Sequence, residues 1–263
     1  MPPLRSAVAR LLFHTGRMAD RFSRATTYLA AGMRRIDDIK RESHQTWDAF
    51  YDTHGSPEIG LLPWEREYVE RFIMPGADVL LVGCGSGRDL LPLLERGCRV
   101  TGVDPSRSGL AIAERLLQTR GMSAPLIQGF FEDLTLAGPF DVVVFSYYCY
   151  STIVMARTRI AALTKAASLL TPGGHVIVSF AAPSRRPRLS LTRLGQWAGT
   201  LSRSDWRIEA GDVVWDNRES RPALSFTHVF EENEAEREAA AAHLRVVCRA
   251  GDGNTTVLVF ARP

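Results

Sequence analysis

The stretch Val79-Leu-Leu-Val-Gly-Cys-Gly-Ser-Gly-Arg-Asp89 decides the fold of this chain. Its first four residues are apolar and predict a buried strand, and a helical pattern follows from Asp89. Gly83, Gly85 and Gly87 lie between the two, where they permit positive φ angles and let a ligand touch the backbone. A helix that begins after such a loop offers unpaired N–H groups to an anionic part of that ligand. The stretch therefore predicts a ligand-binding strand–loop–helix unit.

The spacing of these glycines weakens two common phosphate-binding interpretations. A dinucleotide fingerprint, G-x-G-x-x-G, needs its third glycine at position 88, which is Arg88. A P-loop needs Gly-Lys-Ser/Thr, which is absent. An acid, Asp104, follows the next predicted strand, where it can accept hydrogen bonds from both hydroxyls of a ribose. Asp104 can also cap the following helix, a role that Ser106 can fill as well.

Outward from the loop, predicted strands alternate with predicted helices. This alternation is typical of an α/β doubly wound, Rossmann-like fold, in which helices cover both faces of a parallel sheet. The last two β-rich runs are too close together for a crossover helix, so they predict an antiparallel hairpin. We expect a mostly parallel, seven-stranded sheet with a C-terminal antiparallel hairpin. The predicted strands are 79–82, 99–103, 125–128, 140–146, 175–180, 244–249 and 255–261, and the main helices are 64–74, 89–96, 106–120, 156–170 and 231–242.

Four motifs in this order resemble those of the class I S-adenosylmethionine (SAM) dependent methyltransferases. They are the loop at 79–89, Gly102-Val-Asp104, Phe140-Asp-Val-Val-Val144 and Leu170-Thr-Pro-Gly-Gly174. The resemblance runs from about residue 68 to the C-terminus and includes the terminal hairpin. It implies SAM as cofactor and methyl transfer by in-line displacement. We expect a small-molecule acceptor, on whose identity the resemblance is silent.

The resemblance also implies which residues contact SAM. The glycine loop would wrap the methionine part, Asp104 would hold the ribose, and residues after the second and third strands would line the adenine. Leu81 stands where the family often has an acid, and Phe130 where it often has aspartate. The implied cofactor residues are Gly83, Cys84, Gly85, Gly87, Asp104, Pro105, Ser106, Phe130, Phe131, Glu132 and Ser146.

Methyl transfer from a sulfonium mainly requires alignment of the nucleophile and exclusion of water. A general base matters only where the nucleophile must lose a proton. The catalytic candidates are Tyr147, which the resemblance places facing the methyl donor, and His54 and His228, which can titrate near neutrality. A lone histidine is more often structural or exposed than catalytic, and each aromatic residue can equally pack in the core. The candidate substrate residues are Trp47, Tyr51, Tyr148 and Tyr150.

The positive charge of the chain belongs to its N-terminus. The formal net charge is +3, yet residues 1–36 carry seven arginines against one acid, Asp20. We divide the chain into a basic helical arm (1–42) and a SAM-binding domain (43–263) with a substrate-side insertion (183–222) that is rich in arginine and tryptophan. The arm is interpreted as a helix packed on the domain, with membrane-surface contact as the alternative. Its composition is also typical of a mitochondrial transit peptide.

Three other classes of function stay open. An RNA or protein methyltransferase could dock its substrate on the arm or the insertion, although a separate nucleic-acid domain and an Asn/Asp-Pro-Pro-Tyr-type motif are both absent. A non-catalytic SAM-binding module is the second class. An NAD-dependent dehydrogenase is the third, and Arg88 and the terminal hairpin disfavour it.

The cysteines favour a reducing compartment. Cys84, Cys98, Cys149 and Cys248 form no C-x-x-C pair, and no Cys/His spacing predicts a zinc site, so we expect no metal. Reduced thiols are typical of the cytoplasm. The sequence contains no apolar run of the length that a transmembrane helix needs.

Overall fold

Nine strands, eight α-helices and two short 3-10 helices are found in the computed structural model, which describes residues 2–55, 60–182, 188–217 and 223–263. The strands are β1 (Asp78–Val82), β2 (Arg99–Asp104), β3 (Leu126–Gln128), β4 (Phe140–Phe145), β5 (Leu170–Ala181), β6 (Asp212–Asn217), β7 (Ala223–His228), β8 (Arg245–Gly251) and β9 (Thr255–Ala261). The helices are α1 (Pro2–Gly32), α2 (Ile36–His54), α3 (Pro63–Phe72), α4 (Leu90–Glu95), α5 (Arg107–Thr119), α6 (Ala156–Ser168), α7 (Leu189–Ser202) and α8 (Glu234–Ala241).

Seven of the strands form one sheet in the order β3-β2-β1-β4-β5-β9-β8. The five strands from β3 to β5 are parallel, whereas β9 runs antiparallel to both β5 and β8. The mostly parallel, seven-stranded sheet with a C-terminal hairpin is thus confirmed. β1 lies between β2 and β4, so the strand order reverses at its carboxyl end, which is where open α/β sheets bind ligands.

Alternate residues of the central strands supply two apolar layers. Leu80 packs with α6 and α8 on one face, and Val79 and Leu81 pack with α3 and α5 on the other. Strands buried on both faces read as continuous apolar runs, which is why β1 and β4 are uninterrupted. Helix α5 begins after Ser106, whose Oγ accepts the backbone N–H of Gly109 at 3.0 Å. Ser106 therefore fills the capping role, which leaves Asp104 available to a ligand.

The end of the arm, from Tyr28 onward, packs on the insertion, whereas residues 5–24 are exposed, so the interpretation of the arm as a helix packed on the domain is wrong for them. A third apolar cluster joins the end of α1, α2 and the β6–β7 hairpin, with Tyr28, Trp206 and Phe226 at its centre. The predicted boundary at residue 42 falls inside α2, and the hairpin of the predicted insertion extends to His228. Residues 183–187 and 218–222 of the insertion lie outside the described residues. None of the helices in the described ranges has the length and apolar character that crossing a bilayer requires.

The structure corrects one strand. β5 was expected to begin at His175, after Pro172-Gly173-Gly174 had ended the preceding helix, but it begins at Leu170. The pairing with β4 shifts register between Phe140 and Val142, which pair with Leu170 and His175. The resulting bulge accommodates Pro172, Gly173 and Gly174 within the strand.

Candidate functional site

The glycine loop and Asp104 are joined directly. The backbone N–H of Gly85 donates to Asp104 Oδ2 at 2.8 Å, and that of Ser106 donates to Oδ1 at 2.8 Å. Each carboxylate oxygen keeps a further lone pair for a ribose hydroxyl. Burial raises the pKa of Asp104 to about 6, although the two backbone donors favour its charged form.

Neighbouring side chains approach two of the loop positions so closely that only glycine fits there. Gly83, Gly85 and Gly87 all have positive φ, between 49° and 89°. A Cβ at Gly83 would lie 2.9 Å from the Cβ of Cys149, and one at Gly85 would overlap the hydroxyl of Tyr51. Neighbouring side chains occupy the space that a side chain at Gly83 or Gly85 would need. The loop therefore presents backbone atoms at these two positions.

Helix α2 covers the loop and the start of α5. Asp48 Oδ1 accepts the hydroxyl of Ser106 at 2.7 Å and the N–H of Ser108 at 3.0 Å. The ring of Tyr51 lies against Gly85 and Gly109, so tightly that a Cβ at Gly109 would stand 2.9 Å from it. Burial raises the pKa of Tyr51, with Asp104 adding to the effect. The helix thus forms a cover over the carboxyl ends of β1 and β2.

The turn after β4 is strained and aromatic. Tyr147 and Tyr148 have φ angles of +32° and +63°, which residues other than glycine rarely adopt. Their rings stack with centroids 4.8 Å apart, and Tyr148 also stacks on Trp64 and shares a 2.6 Å hydrogen bond with Thr255 Oγ1. Tyr147 is 53% exposed, and the Arg88 guanidinium lies 5.3 Å from its ring centroid. Backbone strain of this kind persists only where the surrounding structure holds it in place. It is found most often at functional sites.

A buried ionic group adjoins the loop, and the sequence reasoning missed it. Arg88 donates to both oxygens of Glu65 at 2.6 and 2.5 Å and lies 2.5 Å from Asp89 Oδ1. Ser146 donates its hydroxyl to Asp89 Oδ2. Burial and the charge of Glu65 raise the pKa of Asp89 to about 7, against the opposing effects of Arg88 and Ser146. The position of Asp89 at the end of the loop motif was the one available signal, because Glu65 is remote in sequence.

The predicted adenine-side residues surround the β2 and β3 ends. Lys40 of α2 lies 5.2 Å from the Phe130 ring centroid and 3.3 Å from Glu132 Oε1. Phe131 is buried, with its ring edge-on to Phe145. Pro105 is half-buried. Phe130 and Glu132 therefore lie beneath α2, whereas the side chain of Phe131 points into the core.

Three predicted residues have other partners. Tyr150 is fully buried and donates its hydroxyl to Glu238 at 2.5 Å, so it offers no surface to an acceptor. His228 is also buried, with Nδ1 2.6 Å from Asp212 and Nε2 3.1 Å from Glu234, so neither ring nitrogen is free to act as a base. His54 is exposed at the end of α2, with Nδ1 3.1 Å from the carbonyl of Phe50.

One group in the described ranges has the composition of a metal site, namely Glu209, Asp212 and His228. Burial lowers the pKa of His228, but the hydrogen bonds that its ring makes to Asp212 and Glu234 raise it by more, so the net shift is upward. Both ring nitrogens of His228 face carboxylates, Nδ1 that of Asp212 and Nε2 that of Glu234. We assign this group to an ion-pair network.

Three features define the class I SAM-dependent methyltransferase fold. They are a glycine loop at the strand-order reversal, an acid at the end of the next strand and an antiparallel last strand. The described residues of the chain have this fold. Residues 79–174 match the family model described as a methyltransferase domain.

The curated relatives support the same family. The chain is 34% identical over 133 residues to the cypemycin N-terminal methyltransferase of a Streptomyces species, over 51% of this chain and 52% of that protein. It is 28% identical over 154 residues to the ubiquinone biosynthesis O-methyltransferase of Dechloromonas aromatica, over 57% of this chain and 64% of that protein. The chain thus spans between half and two thirds of the length of these relatives.

Solved structures show the same fold. The CcbJ methyltransferase from Streptomyces caelestis has a TM-score of 0.61 at 19% identity, covering 82% of this chain and 98% of its own. The glycopeptide N-methyltransferase MtfA complexed with sinefungin has a TM-score of 0.57 at 19% identity, covering 81% and 90%.

Proposed function

We propose that the chain transfers a methyl group from SAM to an oxygen or nitrogen atom of a small-molecule acceptor. The observation that carries the proposal is the hydrogen bond from Gly85 N to the buried carboxylate of Asp104, at the reversal of strand order. In this proposal Asp104 accepts the ribose hydroxyls beside the glycine loop, which is buried beneath α2 and which side-chain atoms at Gly83 or Gly85 would obstruct. SAM, when bound, supplies a methyl group on a sulfonium whose leaving group is neutral.

Each part of the site has a separate task in this proposal. Asp104 accepts the ribose hydroxyls, and the loop from Gly83 to Gly87 approaches the methionine part. Phe130 and Glu132 border the adenine beneath α2. Tyr51 and the rest of α2 exclude water, which favours displacement by the acceptor over side reactions.

The acceptor side is aromatic. Tyr147 presents an exposed ring that is supported by Tyr148 from below and by the guanidinium of Arg88. Trp47 is partly exposed and lies beside Tyr51 on α2, with ring centroids 6.3 Å apart. Rings of this kind favour an acceptor with a flat, apolar face. The names of the two curated relatives, an N-terminal methyltransferase and an O-methyltransferase, support nitrogen or oxygen as the methylated atom.

Proton removal falls to His54 or to the pair of Ser146 and Asp89. A hydroxyl acceptor with a high pKa would require a base, whereas an amine that is already neutral would not. Asp89 is suited to accept a proton near neutrality because its pKa is raised to about 7, and Ser146 connects it to the turn after β4.

The test is methyl transfer from isotopically labelled SAM to a panel of phenols, catechols, small amines and a short peptide with a free amino terminus. We expect labelled product from a small aromatic acceptor, and loss of that product in Asp104→Ala. Transfer to RNA or to folded protein but to none of the small molecules would contradict the proposal. Binding of S-adenosylhomocysteine without transfer to any acceptor would point to a non-catalytic module.

A further inference from the structure

The N-terminal part of α1 extends away from the domain. All twenty residues from 5 to 24 are exposed. The end of the same helix is fixed, because Tyr28 is buried and donates its hydroxyl to the carbonyl of Asp212 at 2.8 Å. A Cβ at Gly32 would overlap the backbone of Gly195 in α7, which shows how closely the two helices cross. The helix is thus anchored at one end and uncovered along the rest.

An apolar line runs along this uncovered part. Val8, Leu11, Met18 and Phe22 follow one another at steps of three, seven and four residues, so they lie on one face, with the polar Thr15 between Leu11 and Met18. Leu11, Met18 and Phe22 are 63%, 68% and 72% exposed. Contiguous apolar surface of this kind on a soluble domain indicates a binding site.

The charge of the same segment has a single sign. Arg10, Arg17 and Arg24 recur at steps of seven and form a second line, which helical geometry places roughly 120–160° from the apolar line. Arg5 and Arg21 add to it, and Asp20 is the one acid between residues 5 and 24. This is the arrangement of an interfacial helix, in which arginines occupy the polar face opposite the apolar one.

Charge decides which partner fits. A second copy packed along the apolar line would bring together two helices that each carry five arginines and one acid, without complementary acids to pair them. A nucleic acid would engage the arginines but leave the apolar line in water. An anionic bilayer engages both, because the apolar face enters the acyl boundary and the arginines meet the headgroups.

We propose that residues 5–24 of α1 lie in the surface of an anionic lipid bilayer and dock the domain there. Helix α7, which packs on the anchored end of α1, adds exposed Trp197 and Leu201 one turn apart. Tryptophan is enriched at the membrane–water interface. This proposal does not rest on methyl transfer, since binding is measured without SAM or an acceptor.

The experiment is co-sedimentation of the full chain with vesicles of phosphatidylcholine alone or with about 30% phosphatidylglycerol. We expect binding to the anionic vesicles, at least tenfold stronger than to neutral ones and weakened by salt. The triple variant Arg10→Gln, Arg17→Gln, Arg24→Gln should bind about a hundredfold more weakly, because each arginine near such a surface contributes about a factor of five. The variant Leu11→Ser, Met18→Ser, Phe22→Ser should lose at least tenfold.

Matched variants on the domain provide the controls. Arg66→Gln, Arg115→Gln, Arg245→Gln changes three exposed arginines, and Met74→Ser, Val246→Ser, Val247→Ser changes three exposed apolar residues. Both should bind like the unaltered chain. All four variants should keep its melting temperature, since the altered side chains are exposed.

Several results would overturn the proposal. One is failure of the unaltered chain to bind anionic vesicles, and another is a loss of vesicle affinity in the control variants equal to that in the α1 variants. A third is a dimer, seen by sedimentation velocity, that the Leu11→Ser, Met18→Ser, Phe22→Ser variant no longer forms, in a chain that does not bind vesicles. Affinity for an RNA oligonucleotide that depends on the arginines but not on the apolar line, without vesicle binding, would assign the helix to nucleic acid instead.

Discussion

At the scale of single residues, Asp89 places a titratable carboxyl group inside the site. Its pKa is raised from 3.8 to about 7 by burial and by Glu65. Between these values the folded state binds more protons than the unfolded chain. The free energy of unfolding that Asp89 contributes is therefore largest at the acid end and falls as the pH rises toward 7.

Replacing Asp89 by asparagine keeps an acceptor for Ser146 but removes the titration. We expect the free energy of unfolding of Asp89→Asn, minus that of the unaltered chain, to increase by roughly 1 kcal/mol per pH unit from about pH 5 to about pH 7. Denaturant unfolding at several pH values measures it. Asp52→Asn, an exposed change on α2, should show no such slope. Parallel curves for Asp89→Asn would mean that the carboxyl group is charged throughout this range.

The arrangement of the glycine loop and Asp104 could be predicted from the sequence because it is local. Gly83, Gly85 and Asp104 end adjacent parallel strands, and the backbone alone brings them together. Glu65 is paired with Arg88 across 23 residues of sequence, and no spacing rule reports that contact. Tyr150 and Tyr147 look equivalent in sequence, yet one is fully buried and the other 53% exposed. The strained turn after β4, which separates them, is visible only in three dimensions.

At the scale of elements, α2 connects α1 to the candidate site. Its acid Asp48 accepts two hydrogen bonds at the start of α5, and its Lys40 reaches Glu132 on the far side of the site. The sequence predicted the strands more closely than this helix, because apolar runs mark buried strands. The pattern over residues 36–54 mixes aromatic and charged residues, since one of its faces covers a site and not the core.

Asp48→Ala should loosen this cover. Loss of both hydrogen bonds is expected to weaken binding of S-adenosylhomocysteine about tenfold and to speed amide hydrogen exchange in α2. Calorimetry and hydrogen exchange measure the two effects. Asp52→Ala on the same helix is the control and should change neither. Unaltered affinity together with faster exchange would show that α2 does not close on the cofactor.

At the scale of the whole molecule, a buried polar network ties the insertion to the sheet's outer layer. Arg159 is fully buried, donates to Glu238 at 2.7 Å and to Glu209 at 3.2 Å, and Tyr150 joins it through Glu238. Glu209 in turn accepts the N–H of Ala156. The network links α6, α8 and the loop before β6, so the insertion and the core are held together.

Glu238→Gln should therefore be strongly destabilising. It leaves the buried charge of Arg159 with Glu209 as its remaining partner, and we expect a loss of about 3–5 kcal/mol in the free energy of unfolding. Thermal and denaturant unfolding check this value. Glu232→Gln, an exposed change just before the same helix, should cost less than about 0.5 kcal/mol. Equal effects of the two changes would contradict a structural role for the network.

The central claim is that SAM binds on the glycine loop with its ribose held by Asp104. Calorimetric titration with S-adenosylhomocysteine, on the unaltered chain and on Asp104→Ala with folding checked by circular dichroism, tests it most directly. The account predicts binding to the unaltered chain and at least tenfold weaker binding to the variant. Equal affinities, or no binding of S-adenosylhomocysteine while NAD raises the melting temperature, would contradict it.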